Sequence, residues 1–126
     1  MIIPDIMIIH VAIYRSPAIP IRQLCTAVRE LLALSQTTLK ILFGDFNVNW
    51  LNTCITERAT LYDLFITENH YRQLMSCYTT DNKTCIDHTY TNVDDDKIQT
   101  NVWETHFSDH KAIYALIKGF LVPVMQ

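Results

Sequence analysis

The chain has 126 residues, of which 49% are hydrophobic and 18% are charged. This composition excludes a disordered tail and fits either one globular domain with a core or part of a larger domain. The net charge of -3 argues against a protein that holds nucleic acid by a broad basic surface. Any phosphate chemistry must therefore rest on a metal or on a few local donors.

The four cysteines form no Cys-x-x-Cys pair, which argues against a structural zinc site. We expect reduced, mostly buried thiols of an intracellular protein, nuclear or cytoplasmic, rather than a disulfide framework. The apolar start, residues 1–13, has no Lys or Arg before it and is interrupted by Asp5 and His10. It therefore does not resemble a signal peptide. It is also too short to span a bilayer, so no membrane partner is expected.

The first predicted elements are a strand, a helix and a second strand. Residues 6–14 form an apolar run rich in β-branched side chains, which predicts a strand covered on both faces. Two prolines follow this run and place a helix start near Ile21. Apolar residues then recur at helical spacing as far as Leu32. Residues 39–43 predict a second buried strand.

The second half of the chain predicts one more helix and several strands. The helix covers residues 59–69, with Thr56 as its cap. The remaining elements are short strands over residues 73–77, 84–91, 98–103 and 111–117 and a polar turn over residues 93–97. This order predicts a mixed α/β fold in which both helices lie on one side of the sheet. Nothing in the sequence clearly supplies a layer for the other side.

The sharpest polar motif is Gly44-Asp45-Phe46-Asn47, which directly follows the second predicted strand. Glycine permits a tight backbone there, so that Asp45 and Asn47 can point into one cleft. A carboxylate and an amide placed in this way can accept a proton and donate to an oxyanion. The alternative is a polar turn capped by the same two side chains.

Two further motifs lie at or near strand ends. Asp87 and His88 fall inside the predicted strand 84–91, where a buried Asp87 requires a cationic or N–H partner. The alternative is an edge strand on which both side chains are solvated. Asp109 and His110 precede the last strand, and a carboxylate next to an imidazole suits metal binding beside a phosphate contact. The alternative there is a polar turn.

Together and in this order, the motifs resemble the endonuclease/exonuclease/phosphatase (DNase I-like) superfamily, closest to the endonuclease domains of non-LTR retrotransposons. The likeness begins with Val-Ala-Ile-Tyr-Arg-Ser-Pro at 11–17 and continues through Cys-Ile-Asp-His at 85–88 to Ser-Asp-His at 108–110. It implies the C-terminal half of a four-layer α/β/β/α sandwich, an α+β arrangement of a mixed, mostly antiparallel sheet with helices on one face. Residues 1–126 would then be a single partial domain without its N-terminal half.

The resemblance also implies a role for each site residue. Asp45 would activate or orient the attacking water, while Asn47 and Tyr14 would bind the scissile phosphate. His110 would contact the phosphate and stabilise its developing charge. Asp87 would orient His110 and favour its protonated form.

The same resemblance places Asp109 in a site for Mg²⁺ or Mn²⁺. The family's metal-binding Glu, typically in a Gln-Glu pair before the strand that ends at Tyr14, has no counterpart here. Metal binding is therefore expected to be weak.

The implied function is a metal-dependent phosphodiesterase that nicks DNA, weak or inactive as this chain alone. Its partner would be DNA when the domain is complete, and the exposed sheet face is expected to favour association. Two alternatives remain open. One is a non-catalytic remnant or interaction module of the same fold, and the other is a phosphatase or lipid phosphodiesterase of the superfamily.

Other polar and aromatic residues have simpler interpretations. The spacing of His106 and His110 can suit zinc on a helix, but these residues flank a loop before a strand. The three aspartates 94–96 predict an exposed turn rather than a calcium site. Trp103 is expected in the core rather than against nucleic acid. Solvated surface charge is expected at Arg15, Lys83 and Lys111.

Overall fold

The chain is described by a computed structural model over residues 7–118. The strands are β1 (Ile8–Tyr14), β2 (Leu39–Asp45), β3 (Arg72–Gln73), β4 (Asp87–Thr91), β5 (Ile98–Trp103) and β6 (Ala112–Ile117). The helices are α1 (Ile21–Ala33) and α2 (Thr56–Tyr62), with a π-helical turn over Asp63–Glu68 and a 3-10 turn over Asp95–Lys97. The predicted mixed α/β class is confirmed: two sheets, mostly antiparallel, accompany two helices.

The strands form one four-stranded sheet, in the order β1-β2-β4-β3, and one separate hairpin, β5-β6. β1 and β2 are parallel, and α1 makes the connection that a parallel pair requires. The other pairs are antiparallel. β4 therefore lies in the interior of the sheet, between β2 and β3.

Both helices pack against the same face of the four-stranded sheet, as predicted. Leu42 on β2 and Tyr90 on β4 are partners in register and are fully buried at the centre of this face. Cys25, Val28 and Leu32 of α1 recur at helical spacing and meet them in one apolar cluster. Each fully buried apolar side chain of this kind contributes roughly 1.5–3 kcal/mol.

The hairpin β5-β6 supplies a layer on the opposite face of the sheet. Ile98 of β5 and Ile117 of β6 pack against Ile41 of β2 in a second, smaller apolar cluster. The hairpin covers the middle of the sheet and reaches Ile8 at the start of β1, but it leaves His10, Ala12 and Tyr14 on the same face exposed. The expectation that the first strand is covered on both faces is therefore wrong, because the hairpin does not extend along β1.

Several predicted boundaries differ from the structure. Thr56 is the first residue of α2 and not its cap, and Ile55 at the cap position makes no side-chain hydrogen bond. The strand predicted over 73–77 is observed as β3, which shares only Gln73 with the prediction, and the strand predicted over 84–91 shortens to β4. The segment between β3 and β4 forms a loop with its own hydrogen bonds. An example is the hydrogen bond from the Thr79 amide to the carbonyl of Thr84. Ile6, at the start of the first predicted strand, lies outside the described residues.

His88 is a core residue, so the alternative of a solvated edge strand is wrong. Its Nε2–H donates to the carbonyls of Val48 (2.8 Å) and Cys85 (3.1 Å), and its Nδ1 accepts from the Tyr90 hydroxyl at 2.9 Å. These bonds match the neutral imidazole, and the ring stacks on Phe46. Burial lowers the pKa of His88 to about 4.

Two further expectations concern the burial of the cysteines and the absence of a membrane-spanning helix. All four cysteines are free; Cys25 and Cys85 are buried, whereas Cys54 and Cys77 are exposed. The expectation of mostly buried thiols thus holds for two of the four. Between residues 7 and 118, neither the length nor the apolar character of any helix suffices to cross a membrane.

Gly44 allows β1 and β2 to approach each other at the strand end. Its φ is +147°, and a Cβ built there would lie 1.8 Å from the carbonyl oxygen of Ile13. We expect Gly44→Ala to reduce the free energy of unfolding by at least about 3 kcal/mol, through backbone strain and a main-chain clash. Urea denaturation followed by circular dichroism measures this change. Ala12→Ser, which adds one atom at an exposed position of β1, serves as the control and should change it by less than about 0.5 kcal/mol.

The neutral state of His88 makes stability depend on pH. The unfolded chain binds a proton at His88 near the ordinary pKa of 6.5, whereas the folded chain does so only near 4. The contribution of this residue is therefore complete above pH 6.5 and falls by roughly 3 kcal/mol as the pH drops to 4. His88→Gln should flatten this part of the urea-denaturation profile, and the exposed control His106→Gln should not. Parallel profiles for His88→Gln and wild type would contradict the assignment.

Candidate functional site

Two carboxylates meet where β2 ends and β4 begins. Asp45 is the last residue of β2, Asp87 is the first of β4, and the antiparallel register pairs them directly. Partners in register point to the same face, so both side chains emerge on the side of the hairpin. The Asp87 side chain is only 12% exposed, and that of Asp45 is 19% exposed. Two carboxylates held this close require a cation or several donors between them.

His110 reaches this point from a different part of the chain. It forms an isolated antiparallel bridge with Thr80, next to a hydrogen bond from the Lys111 amide to the Thr79 carbonyl at 2.8 Å. On the other side, the Asp81 amide donates to the Asp109 carbonyl, also at 2.8 Å. The backbone of the loop before β6 is thus fixed against the loop before β4.

The ring of His110 lies between the two carboxylates. Its Nδ1 is 3.0 Å from Oδ2 of Asp87, within hydrogen-bonding distance. Its Nε2 is 3.8 Å from Oδ2 of Asp45, close enough for charge attraction but too far for a hydrogen bond. One ligand atom from each of the three residues lies within 4.8 Å of the others.

His110 and Asp87 both have pKa values above their usual ones, but for different reasons. Partial burial alone lowers the pKa of His110, but the hydrogen bond and charge of Asp87, with the charges of Asp45 and Asp109, outweigh it and raise the pKa above its usual value. Desolvation raises the pKa of Asp87, although a hydrogen bond from Thr79 and the contact with His110 oppose this. The arrangement favours a protonated imidazole held by Asp87.

The segment after β2 fixes Asp45 and Asn47 in a tight turn. Asn47 has a φ of 53°, the left-handed conformation that asparagine tolerates better than most residues. Its amide N–H donates to Oδ1 of Asp45 at 2.9 Å, and its side-chain Nδ2 donates to the carbonyl of Arg15. The side chain of Phe46 enters the core on the helix side. Asp45 therefore keeps Oδ2 directed toward His110.

Two other predicted site residues lie near this group but outside it. Tyr14 is the register partner of Asp45 on β1, and its side chain is exposed. The carboxylate of Asp109 does not belong to the three-residue group, and Asp109 is exposed. Its effect on the site is electrostatic, through the pKa of His110. The metal role of Asp109 remains a prediction.

Sequence reasoning missed the position of Arg15. Its side chain is 4% exposed, donates to the carbonyls of Phe46 and Asn47, and pairs with Glu57 at 3.1 Å. The expectation of a solvated surface charge is therefore wrong for Arg15, whereas Lys83 is exposed. No local pattern reveals this, because its acceptors are backbone carbonyls 31 and 32 residues away.

Three other expectations have clear outcomes. Trp103 is 69% exposed, so its expected place in the core is wrong. The reason is that strand alternation turns it away from the sheet, while Val102 faces inward. Lys111 pairs with Glu104 at 2.9 Å and its side chain is only 19% exposed, so the expectation of a solvated surface charge is wrong for Lys111 as well. The aspartates at 94–96 border an exposed 3-10 turn, in which Asp95 pairs with Arg72.

Within the described part of the chain, one group of three or more metal-ligating side chains is present: Asp45, Asp87 and His110. Two carboxylates and an imidazole can hold a divalent cation, and their chemistry does not identify which one. The ring nitrogen of His110 can bind a metal only when it is deprotonated. Protons and a metal therefore compete for His110.

Comparison with known proteins adds no family to this geometry. No protein-family model matches the chain, and no curated protein matches it in sequence.

The contact between Asp87 and His110 can be tested by titration. Because Asp87 supports the protonated ring, Asp87→Asn should lower the pKa of His110 relative to wild type, as measured from the imidazole proton resonances by NMR. The exposed control Asp94→Asn should leave the value unchanged. The stability that this raised pKa contributes is complete below pH 6.5 and is lost as the pH rises through the folded value. An unaltered titration of His110 in Asp87→Asn would contradict the arrangement.

Proposed function

We propose that this chain is the C-terminal half of a phosphodiesterase domain of the endonuclease/exonuclease/phosphatase type, one that nicks DNA with the help of a divalent metal. One observation carries the proposal: Asp45, Asp87 and His110 come from three separate segments, yet their ligand atoms lie within 4.8 Å of one another. Such convergence of acidic groups around one imidazole suits the handling of a phosphate and a water molecule.

His110 would bind the scissile phosphate. The raised pKa keeps the ring protonated to a higher pH than an ordinary histidine, so that it can donate a charged hydrogen bond to a phosphate oxygen. Asp87, bound to Nδ1 at 3.0 Å, fixes the ring and leaves Nε2 for the phosphate. Tyr14 and Asn47 would add neutral contacts from β1 and from the turn after β2.

Asp45 would hold the attacking water. Its Oδ1 accepts the amide N–H of Asn47, which fixes the rotation of the carboxylate. Its Oδ2 lies 3.8 Å from Nε2 of His110, too far for a hydrogen bond, and is left as an acceptor for a water molecule. A water bound to Oδ2 can give a proton to Asp45 while its oxygen attacks the phosphorus; the P–O bond to the leaving sugar oxygen breaks, and that oxygen takes a proton from solvent.

The donor set fits Mg²⁺ or Mn²⁺ only in part. Asp87 already bonds to His110, and Asp45 would hold the attacking water, so Asp109, next to His110 in sequence, would provide the main carboxylate oxygen. Magnesium prefers six oxygen ligands, and one or two carboxylates plus waters bind it weakly. When bound, such a cation would neutralise the charge that develops on the phosphate oxygens.

The four-layer sandwich belongs to the same proposal. The helices and the hairpin β5-β6 lie on opposite faces of the central sheet, an order of layers that supports it. The hairpin would be part of the second sheet, and the exposed face of β1 would be covered in the complete domain. Until it is covered, this face would favour association with another apolar surface.

The small number of carboxylate ligands for a metal also favours the second candidate, a non-catalytic module of the same fold. Its specific support is the outer face of the hairpin, where Trp103, Tyr114 and Leu116 are exposed. A surface of this kind is typical of protein contacts.

A phosphatase or lipid phosphodiesterase would use the same phosphate chemistry with a different leaving group.

Ligand binding tests the site without requiring turnover. We expect thymidine 3′,5′-bisphosphate with Mg²⁺ to perturb the NMR resonances of His110 and Asn47, and we expect His110→Gln to weaken this binding at least about tenfold, because a charged hydrogen bond contributes roughly 1.5–3 kcal/mol. Asp94→Asn is the matched control and should bind like wild type. Perturbations confined to residues away from Asp45 and His110 would refute the proposed site.

Nicking of supercoiled plasmid tests the activity. With Mg²⁺, the chain alone should show little or no nicking, because it offers few carboxylate ligands for the metal and the family's metal-binding Glu has no counterpart in the sequence. Any activity should disappear in Asp45→Asn and His110→Ala and persist in Asp94→Asn. Robust nicking lost in both site variants would show that no further ligand is needed, whereas nicking that survives them would exclude this site. Preferred cleavage of a phosphomonoester or an inositol phospholipid would favour the second enzymatic alternative.

A further inference from the structure

One residue holds the backbone of the whole turn that follows β2. The main-chain N–H of Arg15 donates to the carbonyl of Asp45 at 2.9 Å. Its guanidinium donates through Nε to the carbonyl of Phe46 at 2.8 Å and through Nη2 to that of Asn47 at 3.1 Å. The main-chain carbonyls of three consecutive residues, the first of which is Asp45, therefore accept hydrogen bonds from Arg15 alone.

The turn also bonds back to Arg15, and the guanidinium of Arg15 has further partners outside the turn. The carbonyl of Arg15 accepts from Nδ2 of Asn47. Nη1 of Arg15 donates to the carbonyl of Ile19 at 2.6 Å, and Nη2 pairs with Oε2 of Glu57 in the first turn of α2 at 3.1 Å. The guanidinium is almost fully buried, and each of its three nitrogens has a partner. The guanidinium is therefore held in one orientation, because any other orientation would leave a buried charge without its hydrogen-bond partners.

We infer that Arg15, anchored by Glu57, is a positioning residue that sets the orientation of the Asp45 carboxylate and the Asn47 side chain. This inference rests on the proposed function for its significance, since it concerns the same site. The planar fork of arginine is essential: a lysine would keep the charge next to Glu57 but could not reach the carbonyls of Phe46 and Asn47 together. Arg15 touches neither substrate nor metal in this role.

Native-state hydrogen exchange distinguishes positioning from general stability. In Arg15→Lys, the Asn47 amide, which donates to Asp45 Oδ1, and the main-chain amide of residue 15 should exchange at least about tenfold faster relative to wild type. Amides at the centre of the sheet, such as those of Leu42 and Tyr90, should change much less. Acceleration of all these amides by one common factor would show that Arg15 only stabilises the fold and would overturn the inference.

The matched control is Arg29→Lys, the same substitution in an exposed ion pair with Glu68. It should leave the exchange of the Asn47 amide unchanged. If Arg15→Lys does not fold, Glu57→Gln provides the second variant: it removes the anchoring charge and should accelerate the same two amides by a smaller factor. No acceleration in either variant relative to Arg29→Lys would also overturn the inference.

The exchange measurement needs neither metal nor nucleic acid, so its outcome is separate from that of the proposed function. Local acceleration at Asn47 together with no binding of thymidine 3′,5′-bisphosphate would preserve the positioning role and reject the phosphodiesterase. If binding occurs, Arg15→Lys should weaken it by the same route, through a less rigid Asp45 and Asn47.

Discussion

The register between β2 and β4 determines where the charges of this molecule meet. Because Asp45 and Asp87 are direct partners, two carboxylates emerge side by side at one end of the central sheet. This pair alone would be unfavourable, and the ring of His110 between them reduces the repulsion. A shift of one residue in the register would send one carboxylate to the helix side, into an apolar core. The same pairing thus fixes both the fold and the candidate site.

The titratable groups of the site and of the core make stability depend on pH in opposite directions. Asp87 and His110 both have raised pKa values, so the folded site holds protons more tightly than the unfolded chain does, and the stability it contributes declines as the pH rises. His88, only one residue from Asp87, has a lowered pKa and behaves in the opposite way. Adjacent residues on β4 face opposite sides of the sheet, Asp87 toward the ring of His110 and His88 toward an apolar cluster. Strand alternation therefore separates two chemical environments within one short segment.

Local patterns in the sequence were sufficient for much of the fold. The proline before Ile21 and the helical spacing that follows predicted α1, and both strands of the hairpin were predicted within one residue of their observed starts. The contact between Asp87 and His110 was implied only by a family resemblance, since no local rule brings residues 23 positions apart together. The burial of Arg15 depends on tertiary packing and could not be inferred from spacing, because its acceptors are distant backbone carbonyls. The exposure of Trp103, in contrast, follows from strand alternation in β5, a pattern that the sequence carries and that the expectation of a core tryptophan overlooked.

The loops that hold His110 are joined through main-chain atoms. Asp81 donates through its amide to the carbonyl of Asp109, and Lys111 donates through its amide to the carbonyl of Thr79. Most side chains at positions 81 and 111 preserve these bonds, whereas proline removes the donor. Natural variants are accordingly expected to be diverse in side chain at both positions and to exclude proline. At these two positions the main-chain donor, and not the identity of the side chain, would then be what the structure requires.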